Sequence, residues 1–155
     1  MSKQPVSNSV SHQLAQICRL NRGLMHNLVR GIGLHQGQPY VLELLWQQDG
    51  RTHSELGAHL HVSAATISNT IKRMEKAGFV ERRADAEDDR VSRVYLTDAG
   101  RNIQNEVQRL WQAFEMQALD DFTIDEVTLF QTLLEHLYHN LLNIDESDLL
   151  SQMQN

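Results

Sequence analysis

Two helical patterns, residues 54–60 and 63–77, meet across only two residues, His61 and Val62. So short a break makes the two helices cross close together. Gly78 then stops the second pattern. Two short segments follow, 79–84 (FVERRA) and 91–97 (VSRVYLT), each with the alternating or β-branched content of a strand. The six residues 85–90, DAEDDR, join them as a polar hairpin tip. Two short helices, a tight turn and a two-stranded hairpin, in that order, describe a winged helix-turn-helix.

The second short helix carries the chemistry. With successive residues about 100° apart, Ile67, Thr70, Ile71 and Met74 share one face, and that face must pack inward. The rest of the surface carries Ala65, Asn69, Lys72, Arg73 and Lys76, with Thr66 and Ser68 at its edges. Small and polar residues lie toward the N-terminus and cations toward the C-terminus. Ser63 stands where an N-cap is needed. A helix start of this kind can approach base edges and phosphates closely. Asn69 has the amide that pairs bidentately with adenine, and Lys72, Arg73 and Lys76 can neutralise phosphates. Any one of these is equally readable as a solvated residue, and cations near a helix C-terminus favour its dipole without a ligand. The face as a whole, bare of acids except Glu75 at its side, points to duplex DNA.

Long helices flank this core. Residues 10–33 carry Leu14, Ile17, Leu24, Leu28 and Ile32 at helical spacing, with Cys18 and Met25 beside them and Asn21 at the centre of the stripe. A second helix, within GQPYVLELLWQQDG, has Pro39 in its first turn and Gly50 just past its end, and its wide apolar arc predicts burial. Thr97 caps a helix predicted to run to about residue 119. TIDE, residues 123–126, is a capping box for a last helix reaching about residue 144. That helix is apolar over half its circumference, more than one small domain can cover, and so implies a partner chain. The tail after Asp145 is expected to fray.

Charge is unevenly distributed. The chain has 155 residues and a formal net charge of −6. Residues 94–155 hold two basic and eleven acidic groups, whereas residues 51–93 hold eight basic and seven acidic. A DNA-contacting middle on an acidic scaffold fits this asymmetry, although charge alone is met as well by solvated helix faces. One cysteine excludes an intrachain disulfide framework and fits a reducing compartment. No apolar run approaches the roughly 18 residues of a membrane span, and no signal-peptide stretch opens the chain, so a cytoplasmic location is expected.

The stretch SELGAHLHVSAATISNTIKRMEKAGFVERRADAEDDRVSRVYLTDAG resembles the core of the MarR family of transcriptional regulators. The specific parts are TISNTIKRMEKAGFVER and a wing patterned Asp-x-Arg then Leu-Thr-x-x-Gly, here Asp88, Arg90, Leu96, Thr97 and Gly100. Arg93 is a second wing cation between them. The resemblance implies a mostly α fold with a small β-hairpin: a winged helix-turn-helix lobe over 38–100, flanked by dimerisation helices over 10–37 and 101–145 of a single domain. It further implies a homodimeric repressor on a pseudo-palindromic operator, released by a small-molecule effector. Arg90 would reach the minor groove and Asp88 would hold it. His61 departs from other helix-turn-helix proteins, in which a Gly often occupies the turn.

Effector chemistry is less legible. Cys18 reads as a packed thiol inside an apolar stripe, with Arg19 and Arg22 near enough in sequence to keep oxidant sensing open. His136 and His139 can share a helix face but have no Cys or Glu-x-x-His pair with them, so no metal is expected. Trp46 and Trp111 read as core or interface anchors, and Asn21 as a backbone-paired or register-setting residue. No phosphate loop, H-E-x-x-H or G-x-S-x-G occurs, so neither an enzyme nor a cofactor is expected. The alternatives left open are a redox- or metal-responsive regulator of the same fold, a non-specific DNA-coating protein, and an interaction module that has lost DNA binding.

Overall fold

The computed structural model describes residues 9–88 and 90–153. It is mostly helical, with one small antiparallel sheet. The chain divides into two compact units, Met1–Gln112 and Ala113–Asn155.

The first unit opens with α1, Val10–Gly31, whose N-cap Ser9 accepts a hydrogen bond from the His12 amide at 3.2 Å. Only Met25 and Val29 of this helix are buried, while Ile17, Leu20, Leu24 and Leu28 are exposed. Cys18 and Asn21 are exposed as well, which corrects the reading of Cys18 as a packed thiol. Helical period identifies a stripe but does not say whether its own chain covers it.

Helix α2, Gln38–Gln47, is buried at Val41, Leu42 and Leu45. Its first residue, Gln38, accepts the His35 amide at 2.8 Å and so shapes the turn from α1. Asp49 and Gly50 turn the chain into β1, Arg51–Thr52, with Gly50 at φ +77°. Sequence patterning did not resolve this two-residue strand, because its pairing partner lies some forty residues away.

Helix α3, His53–Leu60, begins at a capping box in which the Thr52 hydroxyl accepts the Glu55 amide and the Glu55 carboxylate accepts the Thr52 amide at 2.7 Å. At the tight turn His61 sits in the left-handed region, φ 50° and ψ 42°. It is thus a histidine in the conformation that a glycine adopts most readily, and the turn keeps the geometry expected of a helix-turn-helix. Helix α4, Ala64–Lys76, buries Ile67, Ile71 and Met74, with Thr70 half-buried beside them. It ends in a Schellman motif: the Phe79 amide donates to the Met74 carbonyl and the Gly78 amide to the Glu75 carbonyl, both at 3.0 Å, with Gly78 at φ +80°.

Strands β2, Val80–Ala84, and β3, Ser92–Leu96, form the hairpin, and β3 lies between β1 and β2 in the sheet. The register pairs Val80 with Leu96 and Ala84 with Ser92, so the connection is 85–91. Val94 and Leu96 are buried and Arg93 and Tyr95 half-buried, the alternation a one-sided sheet requires. The helix predicted as continuous from Thr97 is broken. Thr97 caps α5, Asp98–Asn102, then Ile103 forms a tightened turn (φ −73°, ψ −8°), and α6, Gln104–Ala118, follows. The apolar period runs through this break and so conceals it.

In the second unit, α7, Ile124–Leu142, starts at the expected box of Thr123 and Glu126. None of its residues is buried. Residues 146–153, expected to fray, form α8, Glu146–Met153, preceded by Asp145 accepting the Ser147 amide at 2.9 Å.

Candidate nucleic-acid interface

Helix α4 sets out the site. Ser63, Ala65, Thr66, Ser68, Asn69, Lys72, Arg73 and Lys76 are all exposed, and the structure gathers them on the side of α4 opposite Ile67, Ile71 and Met74. The Ser63 hydroxyl accepts the Thr66 amide at 3.2 Å and lies 2.9 Å from the Thr66 hydroxyl. Both hydroxyls are therefore engaged in starting the helix, and Ser68 and Asn69 are the polar side chains left beyond that cap. Lys72, Arg73 and Lys76 have no acidic partner among the described residues.

Glu75, at the side of that face, is occupied. The Arg82 guanidinium donates to it from β2 through Nε at 3.1 Å to each oxygen and through Nη2 at 2.7 Å. This bidentate pair joins α4 to the hairpin and holds the Glu75 carboxyl below its ordinary value. His53 lies near both groups. Burial and the Arg82 charge push its imidazole below the usual value, while a hydrogen bond to the Ser92 backbone and the charge of Glu75 pull the other way. On the hairpin's wet side Arg83 lies 4.6 Å from the Tyr95 ring centroid and also donates to Glu81 at 2.8 Å.

The wing differs from the expectation in how Arg90 and Arg93 are held. Asp88 does hold Arg90, but by the backbone: its Oδ1 accepts the Arg90 amide at 2.9 Å, and its carbonyl accepts the Val91 amide at 2.9 Å. The Arg90 side chain is exposed and has no ionic partner among the described residues. Arg93, the second wing cation, is half-buried and occupied. Its Nε donates to Asp85, and its Nη1 donates to the Gly50 carbonyl at 2.9 Å. Asp85 also accepts the amides of Glu87 at 2.9 Å and Asp88 at 3.3 Å. Asp89 lies outside the described residues.

A model of the MarR family matches residues 34–92, which span α2 to the start of β3. YwoH of Bacillus subtilis, an uncharacterized HTH-type transcriptional regulator, is 32% identical over 128 residues, covering 83% of this chain and 93% of its own. The chain belongs to the MarR family of transcriptional regulators. A crystal structure of MarR superposes with a TM-score of 0.77 at 26% identity, covering 91% of this chain and 96% of that one. A crystal structure of Staphylococcus aureus MepR with DNA shares the fold, at a TM-score of 0.76 and 19% identity over 88% of this chain and 99% of that one.

The family's Leu-Thr-x-x-Gly pattern has a physical reading in this MarR-family chain. Thr97 accepts the Gly100 amide at 3.2 Å, and its own amide donates to the Phe79 carbonyl at 3.1 Å. A Cβ on Gly100 would lie 2.1 Å from that Phe79 carbonyl oxygen, so only glycine lets α5 sit so close to the hairpin. The Trp46 indole donates to the Gly100 carbonyl at 2.9 Å, tying α2 to the same point. Trp111 packs on Tyr40, with ring centroids 5.7 Å apart.

Sequence reasoning missed Asp85, Glu75 and Arg82. The signal was present, since Arg93 pairs with Arg83 and Asp85, two residues beyond Arg83, lies diagonally across the hairpin from it, but composition does not supply the register.

Proposed function

We propose that this chain is a homodimeric repressor that binds a pseudo-palindromic operator and is released from it by a small-molecule effector. The observation that carries the reading is the exposed face of α4, with small polar groups at its start and, at its end, three cations without acidic partners among the described residues. Ser68 and Asn69 would read base edges in the major groove, Lys72, Arg73 and Lys76 would neutralise phosphates, and Arg90 would enter the minor groove. MepR, which has the same fold, has been solved with DNA, and that supports the reading.

The dimer rests on apolar surface. Leu129, Phe130, Leu133, Leu134 and Leu141 of α7 are exposed, as are Ile17, Leu20, Leu24 and Leu28 of α1. Surfaces of this kind on a single chain mark an interface. Two copies would place two recognition helices on half-sites about one helical turn apart. An effector would act by changing that spacing.

Footprinting across the protein's own promoter tests the reading. Protection of one palindrome, lost on adding an effector, is the expected result. Binding with a steep salt dependence and no sequence preference would identify a DNA-coating protein instead. No binding to genomic fragments at low salt would identify an interaction module.

A further inference from the structure

The wing holds four guanidinium groups, and three of them have carboxylate partners. Arg82 is bound to Glu75, Arg83 to Glu81 and Arg93 to Asp85. Arg90 has no carboxylate partner among the described residues. We infer that Asp85 and Arg93 are positioning residues, which together fix the wing so that Arg90 is presented to DNA, and that Arg93 is not itself a phosphate contact. This rests on the reading of the wing as a DNA contact.

A chain of hydrogen bonds carries the inference. At the tip, the Asp85 carboxylate accepts the amides of Glu87 and Asp88, and the Asp85 amide donates to the Val91 carbonyl at 2.9 Å. Asp88 in turn accepts the Arg90 amide. Two residues ahead of the cation, Glu87 and Asp88, are thus shaped by one carboxylate. That carboxylate is held by Arg93, which crosses from β3 and anchors on the Gly50 carbonyl at 2.9 Å. The anchor is itself immobilised. The Gly50 amide donates to the Val94 carbonyl at 3.1 Å, and the Tyr95 ring leaves no room for a side chain on Gly50. Asp49 beside it accepts the Leu96 amide at 2.9 Å and pairs with Arg101 at 2.6 Å. The path from Arg90 to the body of the lobe therefore passes through Asp88, Asp85, Arg93 and Gly50. A guanidinium with two fixed partners would have to release both to reach a phosphate, whereas a tip that is already ordered loses less entropy on entering a groove.

The two roles predict opposite signs for Asp85→Asn. If Arg93 were a phosphate contact, removing its carboxylate partner would free a cation and strengthen binding. If Arg93 positions the wing, the same change loosens the tip and weakens binding, although it deletes a negative charge beside DNA. The experiment measures binding of wild type, Asp85→Asn, Arg93→Met and the double variant to the duplex protected in the footprint and to a random-sequence duplex, over a range of salt. The expected result is about a tenfold loss on the protected duplex for each single variant, with the double no worse than either. Random-duplex binding and thermal midpoint should hardly change. Tighter or unchanged operator binding by Asp85→Asn, or additive losses in the double variant, overturns the inference.

Hydrogen exchange on the free protein gives a second readout. The amides of Glu87 and Asp88 should exchange faster in Asp85→Asn and in Arg93→Met, and unchanged exchange overturns the positioning role whatever the DNA result. If wild type protects no duplex, the reading of the wing as a DNA contact fails, and exchange still decides whether Asp85 and Arg93 shape the tip.

Discussion

At Gly100 the constraint is a single hydrogen-sized space. A methyl group there would meet the Phe79 carbonyl oxygen at 2.1 Å and Leu96 Cδ2 at 3.1 Å, and the nearer neighbour is backbone that cannot rotate away. Gly100→Ala should therefore destabilise the lobe by about 1–3 kcal/mol, the range of an overpacked core site. Urea denaturation followed by tryptophan fluorescence measures this directly, since Trp46 donates to the Gly100 carbonyl. An unchanged midpoint would show that α5 can shift off the hairpin at no cost. Asn69 makes a different kind of prediction. If its amide reads an adenine, Asn69→Ala should cost about 1–3 kcal/mol at one base position and little elsewhere. Binding to operators substituted one position at a time distinguishes this from a uniform loss, which would mean backbone positioning only. Residues of this scale were legible where their partners are local. Ser63 caps a helix starting one residue later, and Thr123 finds Glu126 three residues on. The pairing of Arg93 was not legible, because its partners lie eight and 43 residues away in the chain.

Among elements, the Glu75–Arg82 pair joins the recognition helix to the hairpin, and an imidazole of α3 beside that pair titrates. His53 stands near Arg82, Glu75 and the Ser92 backbone, with its imidazole below the usual 6.5 chiefly because of burial. Its folded pKa is lower than its unfolded one, so the unfolded chain takes up the proton first as pH falls. The stabilising contribution is therefore complete above about pH 6.5 and is lost as pH drops through the lower folded value. Chemical denaturation at pH 7.5 and 5.5 should show a smaller pH difference for His53→Gln than for wild type; equal differences would remove His53 from the account. The order helix, turn, helix, hairpin was readable because Gly78, Ser63 and Thr97 mark boundaries with local hydrogen bonds. Strand β1 was not, because two residues make no pattern. The break at Ile103 was not either, because the stripe of apolar residues continues through it.

For the whole molecule, the decisive contrast is between the two units. All of the large buried apolar side chains among the described residues lie at or before Val107, and α7 buries none. The apolar stripe of α7 was plain in the sequence, but a stripe does not reveal what covers it. The proposed dimer would. Replacing Leu134 and Leu141 together with Glu should yield a monomer by analytical ultracentrifugation, with the lobe's far-UV signal largely kept and operator binding lost. A variant that stays dimeric would move the interface elsewhere. The bare surface of α7 has a further consequence, one of concentration rather than contact. A helix that finds its cover on another molecule draws its stability from mass action, so dilution acts on it as a denaturant does. In a proposed dimer of this kind each tenfold dilution removes about 1.4 kcal/mol of assembly free energy. The thermal midpoint should fall as the protein is diluted, and the amount of chain in the cell becomes one of the terms that decide whether its DNA-reading surface is assembled at all.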